Sequence, residues 1–305
     1  MSLGACAAFL GALSLCVPAT AGLAQSASDT TIYLAELSDD SGASARIDLS
    51  GKLRMLSQRT VATACYAQFG IDTDTTGPAL MAAVEETSLI LEALAFGNPE
   101  MGIPSEENRV KTQVGLGKLM ESWIPQAEIA IEIASGNGSA EMLADLAEQS
   151  GPHLEFANVM VAEIAGQYSV PGALLQSDAL VIDIAGRQRM LAQQIAKDAC
   201  LVANGLLTES AQAELDQAIE MFDTSLYALL LGMPAAGIQP PRTPEIEAGL
   251  QEVAALWTDL KPMLADVASS SDAALLSTIY DEATALTSGM NAVVDLYTDA
   301  AKSGA

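Results

Sequence analysis

The chain has 305 residues, room for one large domain or two ordinary ones, and sets 13 Lys and Arg against 39 Asp and Glu for a formal charge of −26. A surface this acidic is repelled by nucleic-acid phosphates and by anionic lipid, which excludes both as partners. Half the residues are hydrophobic, which excludes a disordered chain, and the single histidine, His153, excludes His-rich metal sites, so no metal or other cofactor is expected.

In chain order, the first expected element is a secretory signal over residues 1–24. Residues 3–17 are apolar or small, and the small residues that follow allow cleavage after Ala21 or Ala24, although no Lys or Arg precedes the run. The run falls short of the roughly 20 residues that a membrane span needs. No later segment is long and uncharged enough either, so a mature periplasmic protein without direct membrane insertion is expected. Cys65 and Cys200 are then its only cysteines.

The chain repeats itself. Residues 47–59 read IDLSGKLRMLSQR and residues 182–194 read IDIAGRQRMLAQQ, an offset of 135 that also relates Cys65 to Cys200, Gly97 to Gly232 and Gly102 to Gly237. Trp123 and Trp257 follow at 134, and Asn158 and Asn291 at 133. Two copies of one unit are therefore predicted, 40–168 and 174–302, with a Pro/Gly linker at 169–173.

Each copy reads as four helices. Leu276, Ile279, Ala283, Leu286, Met290, Val293 and Tyr297 alternate by three and four, and the last helix of the first copy has the same stripe from Leu143 to Tyr168. Thr243-Pro244 is a cap followed by Pro at the first helical position; Ser105-Glu106-Glu107 and Ser271-Asp272 also read as helix starts. The expected fold is all-α: two tandem antiparallel four-helix bundles forming a pseudo-two-fold dimer within one chain. Trp123, Trp257 and His153 fall on core stripes, which leaves little for an enzyme to use.

Seven of the thirteen basic residues lie in windows 43–59 and 181–197. Asp48 precedes Lys52 by four and Asp183 precedes Arg187 by four, so those cations have partners on their own helix. Arg54 and Arg189 have none: their neighbours one turn away are Ser50, Gly51, Ser57 and Gln58, and Ala185, Gly186, Ala192 and Gln193. Gly51, Arg54, Gln58 and Cys65 share one helical stripe, as do Gly186, Arg189, Gln193 and Cys200. An even number of helices per copy returns the chain to its starting end, so the two first helices run parallel. Packed on a local two-fold, Arg54 and Arg189 would converge on one small planar anion. Cys65 and Cys200 would meet as well, either bridged or as two buried thiols.

The two blocks around Gly51-Lys52-Leu53-Arg54-Met55 and Gly186-Arg187-Gln188-Arg189-Met190 resemble the signature helix of the PilJ/NarX-type sensor module, of pattern I-N-x-A-G-x-x-R-M-x-S-x-R. That module is the periplasmic four-helix region of type IV pilus chemoreceptors and of nitrate/nitrite sensor kinases. The resemblance implies that Arg54 and Arg189 occupy the place of the arginine that holds the anion in the nitrate sensors. Asp48 and Asp183 stand where the family has Asn, and the second family arginine is kept as Arg59 but is Gln194 in the second copy. The expected function is a non-enzymatic sensor that binds a small, nitrate-like anion through Arg54, Arg189, Gly51, Gly186, Gln58 and Gln193, with Lys52, Arg59 and Arg187 secondary. No kinase or methyl-accepting coiled coil follows, so the signal is expected to pass to a membrane or periplasmic partner. The competing expectation is a structural or partner-binding helical protein with no small-molecule ligand.

Overall fold

The computed structural model describes residues 42–168 and 176–303. The signal segment 1–24 and the linker 169–173 lie outside the described residues. Among the described residues there are eight α-helices: α1 (Ala43–Gln68), α2 (Thr73–Phe96), α3 (Val110–Ala134), α4 (Ala140–Tyr168), α5 (Gln176–Ala203), α6 (Thr208–Leu231), α7 (Pro244–Leu264) and α8 (Ala273–Ser303). In each copy the first helix packs between the second and the fourth, and the third closes the ring. The fold is all-α, in two tandem units within one compact body, Ser41–Ala305.

The repeat extends to the backbone angles. Gly70 and Gly205 have φ of 72° and 71°, and two residues on Asp72 and Leu207 both stand at 46°. A left-handed turn between first and second helices is thus part of the shared frame, tolerated by Asp and costing Leu about 1–2 kcal/mol. After the second helix, Pro99–Met101 and Pro234–Ala236 form single 3₁₀ turns closed by lone bridges, Asn98 to Ile103 and Met233 to Ile238. Gly42, ahead of α1, is required twice over. Its φ is +61°, and a Cβ there would lie 2.6 Å from the Gly102 carbonyl oxygen.

The caps follow the sequence except in one place. Thr243 Oγ1 accepts the Ile246 N–H at 3.3 Å, and an Asp272 carboxylate oxygen accepts that of Ala274 at 2.9 Å. Ser105-Glu106-Glu107, however, does not start a helix; α3 begins at Val110. The reason is that Glu107 is drawn inward. Its carboxylate is fully buried, accepts the Arg109 N–H at 2.8 Å and the Tyr168 hydroxyl at 2.6 Å, and pairs with Arg46 at 3.7 Å.

The core is mainly Leu, Ala, Ile and Val, with one tryptophan per copy. Trp123 donates to Ser88 Oγ and Trp257 to Asp223, at equivalent points of the two bundles. The most polar helices, α1 and α5, are also the most enclosed, because each packs within its own bundle and against the other. Ser50, Ser57, Thr60 and Thr63 tolerate that burial by donating back to carbonyls one turn earlier. Cys65 and Cys200 form a disulfide with Cα atoms 6.2 Å apart, and the Tyr66 ring packs tilted against that of Tyr280 of α8, centroids 4.8 Å apart. Equivalent residues meet at both the arginine and the cysteine levels, so α1 and α5 run parallel.

Candidate functional site

The motif helices bring Arg54 and Arg189 to the seam between the copies. A Cβ added to Gly186 would sit 3.4 Å from Arg189 Nη2 and 3.8 Å from Arg54 Nη2, and one on Gly51 would sit 3.9 Å from Arg54 Nη2. The two glycines therefore leave open the space into which both guanidiniums reach. Both arginines are buried, 6 % and 8 % exposed.

Their partners differ. Arg54 crosses the seam and donates through Nη1 and Nη2 to one Asp183 oxygen, at 3.1 and 3.2 Å, while its Nε has no acceptor. Arg189 stays in its own bundle, donating through Nη1 to Asn291 Oδ1 at 2.9 Å and through Nε to the Gly186 carbonyl at 3.4 Å. Burial lowers the pKa of Arg54, partly offset by Asp183. Burial also lowers that of Arg189, with Asp48 acting against it and the charge of Arg54 adding to it. An arginine remains charged under such a shift, so the seam holds two desolvated cations that repel each other.

Asp183 answers for the missing local counter-ion of Arg54. It also bonds Arg187, one turn along α5, at 2.9 Å, and it is 37 % exposed. Sequence spacing assigned Asp183 to Arg187 alone, because a contact 129 residues away leaves no periodic trace. Asn291, noted only as a repeat landmark, proves to be the anchor of Arg189.

The remaining predicted residues do not all converge. Gln58 is buried, donates to Ser57 Oγ at 3.2 Å, and its Oε1 has no partner. Gln193 turns into the second bundle and donates to Thr287 Oγ1 at 2.7 Å. Lys52 is corrected: it pairs not with Asp48 on its own helix but with Glu86 of α2, which the bundle places across from it. Arg59 lies close enough to Tyr280 to act on that phenol's ionisation, away from the arginine pair.

A second buried charge group was not anticipated. Lys197 bridges Asp198, at 3.1 Å, and Glu214 of α6, at 2.9 Å. Asp198 is wholly buried, and neither carboxyl oxygen accepts an aligned hydrogen bond. Burial pushes its pKa up to about 7, with Lys197 opposing and Glu214 adding. Its place in the first copy is Thr63, so the repeat gave no signal for it.

The N-terminal region of the type IV pili methyl-accepting chemotaxis transducer, the PilJ family, matches residues 36–149 and again 173–281. The chain belongs to this family, and carries its module twice. It is thus a chemoreceptor-type sensor module, a class that signals to a partner protein. No curated protein matches it. Among the described residues no helix is long and apolar enough to cross a membrane, and no group of three or more His, Cys, Asp or Glu could hold a metal ion.

Proposed function

We propose that the protein is a periplasmic, non-enzymatic sensor that binds one small planar anion between its two copies, held by Arg54 and Arg189, and signals through a partner protein. The observation that carries this reading is the convergence of two buried guanidiniums on the space left by Gly186. Their mutual repulsion and the unpartnered Arg54 Nε favour an incoming anion. Asp183 acts as a built-in stand-in for it. Being partly exposed and already bonded to Arg187, it can release Arg54 without being stranded. The disulfide supports an oxidising compartment, and so export. Gly51 and Gly186 keep the site open in this reading, and Gln58 offers its unpartnered amide oxygen only to an anion that carries a proton.

The test is thermal unfolding with nitrate, nitrite, sulfate and small carboxylates at constant ionic strength. An anion present at 100 times its dissociation constant adds about 2.7 kcal/mol. Arg54→Ala and Arg189→Ala should each remove that gain. The competing reading, a partner-binding helical protein, draws on one observation: Val110, Val114, Ile124 and Ile131 of α3 are exposed. That reading gains ground if no anion shifts the transition.

A further inference from the structure

Between α3 and α4 of the first copy lies an open cavity of about 410 Å³, whose walls include Ser122, Gln126, Asp145, Glu148, Pro152 and His153. His153 is the key to it. The ring is 1 % exposed and its Nδ1 lies 2.6 Å from Ser122 Oγ. The single hydroxyl proton of Ser122 goes to the Leu119 carbonyl at 2.9 Å. This network assigns the proton to Nδ1, which donates to Ser122 Oγ and leaves Nε2 as a lone-pair acceptor. That Nε2 has no donor.

Pro125 and Gln149 complete the walls, and the Gln149 amide brings both a carbonyl acceptor and N–H donors. Asp145 and Glu148 are exposed carboxylates at the rim. Pro152, inside α4, supplies no N–H to the Glu148 carbonyl. Gln126 uses one of its two amide N–H groups on the Ser122 carbonyl at 2.7 Å. No Lys or Arg lines the cavity. Walls rich in acceptors and negative charge, with one buried acceptor unpaired, complement a cation that carries N–H donors. The net charge of −26 draws such a cation in.

We propose that this cavity is a binding site for a small primary ammonium compound, whose N–H donates to His153 Nε2 and whose charge is met by Asp145 and Glu148. The site belongs to the first copy alone. The second copy has Leu256, Leu260 and Leu286 where the first has Ser122, Gln126 and His153, and Leu260 and Leu286 are fully buried. It is independent of the arginine seam.

Because His153 is the only histidine, the full chain labelled with 15N-histidine reports on this site through one imidazole. The protein is titrated with ethylammonium chloride at constant ionic strength, and in parallel with tetramethylammonium chloride, which has the same charge and no N–H. The expected result is a saturable change at His153 Nε2 with ethylammonium alone. The paired surface substitutions Asp145→Asn and Glu148→Gln, checked for an unchanged melting temperature, should weaken it about tenfold or more. Three outcomes overturn the proposal: no saturable change, which leaves Nε2 to an ordered water only; an equal response to tetramethylammonium; or unaltered affinity in the doubly substituted protein.

Discussion

Arg54 leaves its bundle to reach Asp183, whereas Arg189, its counterpart, turns home to Asn291. The two copies share a backbone frame down to matched left-handed turns, yet they use equivalent cations differently. The neutral amide that holds Arg189 meets no second cation among the described residues. The carboxylate that holds Arg54 has a second partner in Arg187 and can let go. In the proposed site, Arg54 would be the arm that responds to a ligand and Arg189 the fixed post.

The clasp between the long loop and the bundle end differs in polarity as well. In the first copy Arg46, on the helix, meets Glu107, on the loop. In the second, the position of Glu107 is Arg242, and it meets Asp178 on the helix. The geometry of a loop tied to the helix start is kept while the charges change sides.

The largest effect should come from cutting the link that joins the copies. The disulfide spans 135 residues, and its reduction or the change Cys65→Ala with Cys200→Ala should cost about 3–5 kcal/mol. Denaturant melts with and without reductant measure this.

The two clasps should then break unequally. Arg46→Met leaves the buried Glu107 with Arg109 as its remaining cation and removes the donors to the Leu94 and Ser105 carbonyls, and should cost about 3 kcal/mol or more. Arg242→Met should cost less, about 1–3 kcal/mol, because the partly exposed Arg242 opens Asp178 to water when it is removed, and Ser177 Oγ still donates to that carboxylate at 3.3 Å. Equal losses in chemical denaturation would erase the contrast.

The copies should also fail at opposite ends of the pH scale. Burial lowers the His153 pKa to about 4, below its unfolded value. Its contribution is complete above about pH 6.5 and is lost as pH falls toward 4. Asp198 in the second copy is raised to about 7, above its unfolded value. Its contribution is complete below about pH 4 and is lost as pH rises through 7. Each group tilts stability by no more than about 1.4 kcal/mol per pH unit. Asp198→Asn should flatten the alkaline limb only, and His153→Leu, which installs the second copy's residue, the acid limb only. Melting temperatures between pH 4 and 8 measure both.

The smallest effect belongs to Asp183→Asn. The asparagine keeps an acceptor for the buried Arg54 but not its counter-charge, which should cost about 1–2 kcal/mol, while anion affinity at the seam should rise because the stand-in is gone. A fall in affinity would make Asp183 part of the site.

Much of this was legible beforehand. Helix count, the tandem, the parallel motif helices and the meeting of Cys65 with Cys200 all follow from periodicity and the 135-residue offset, which report local or symmetric relations. What was not legible depended on contacts between distant elements. Lys52 chose Glu86 over Asp48 because a neighbouring helix presents a better-placed carboxylate than its own. Glu107 abandoned a capping role because Arg46 and Tyr168 offered it a buried one. Asp198 had no counterpart in the first copy, and so neither offset nor stripe pointed to it.

The central claim, one anion shared between two copies, is tested most directly by calorimetric titration of the oxidised full chain with nitrate and nitrite. We expect saturable binding of one anion per chain, lost in Arg54→Ala and lost again in Arg189→Ala. Two anions per chain, or binding that survives either substitution, would contradict a shared site.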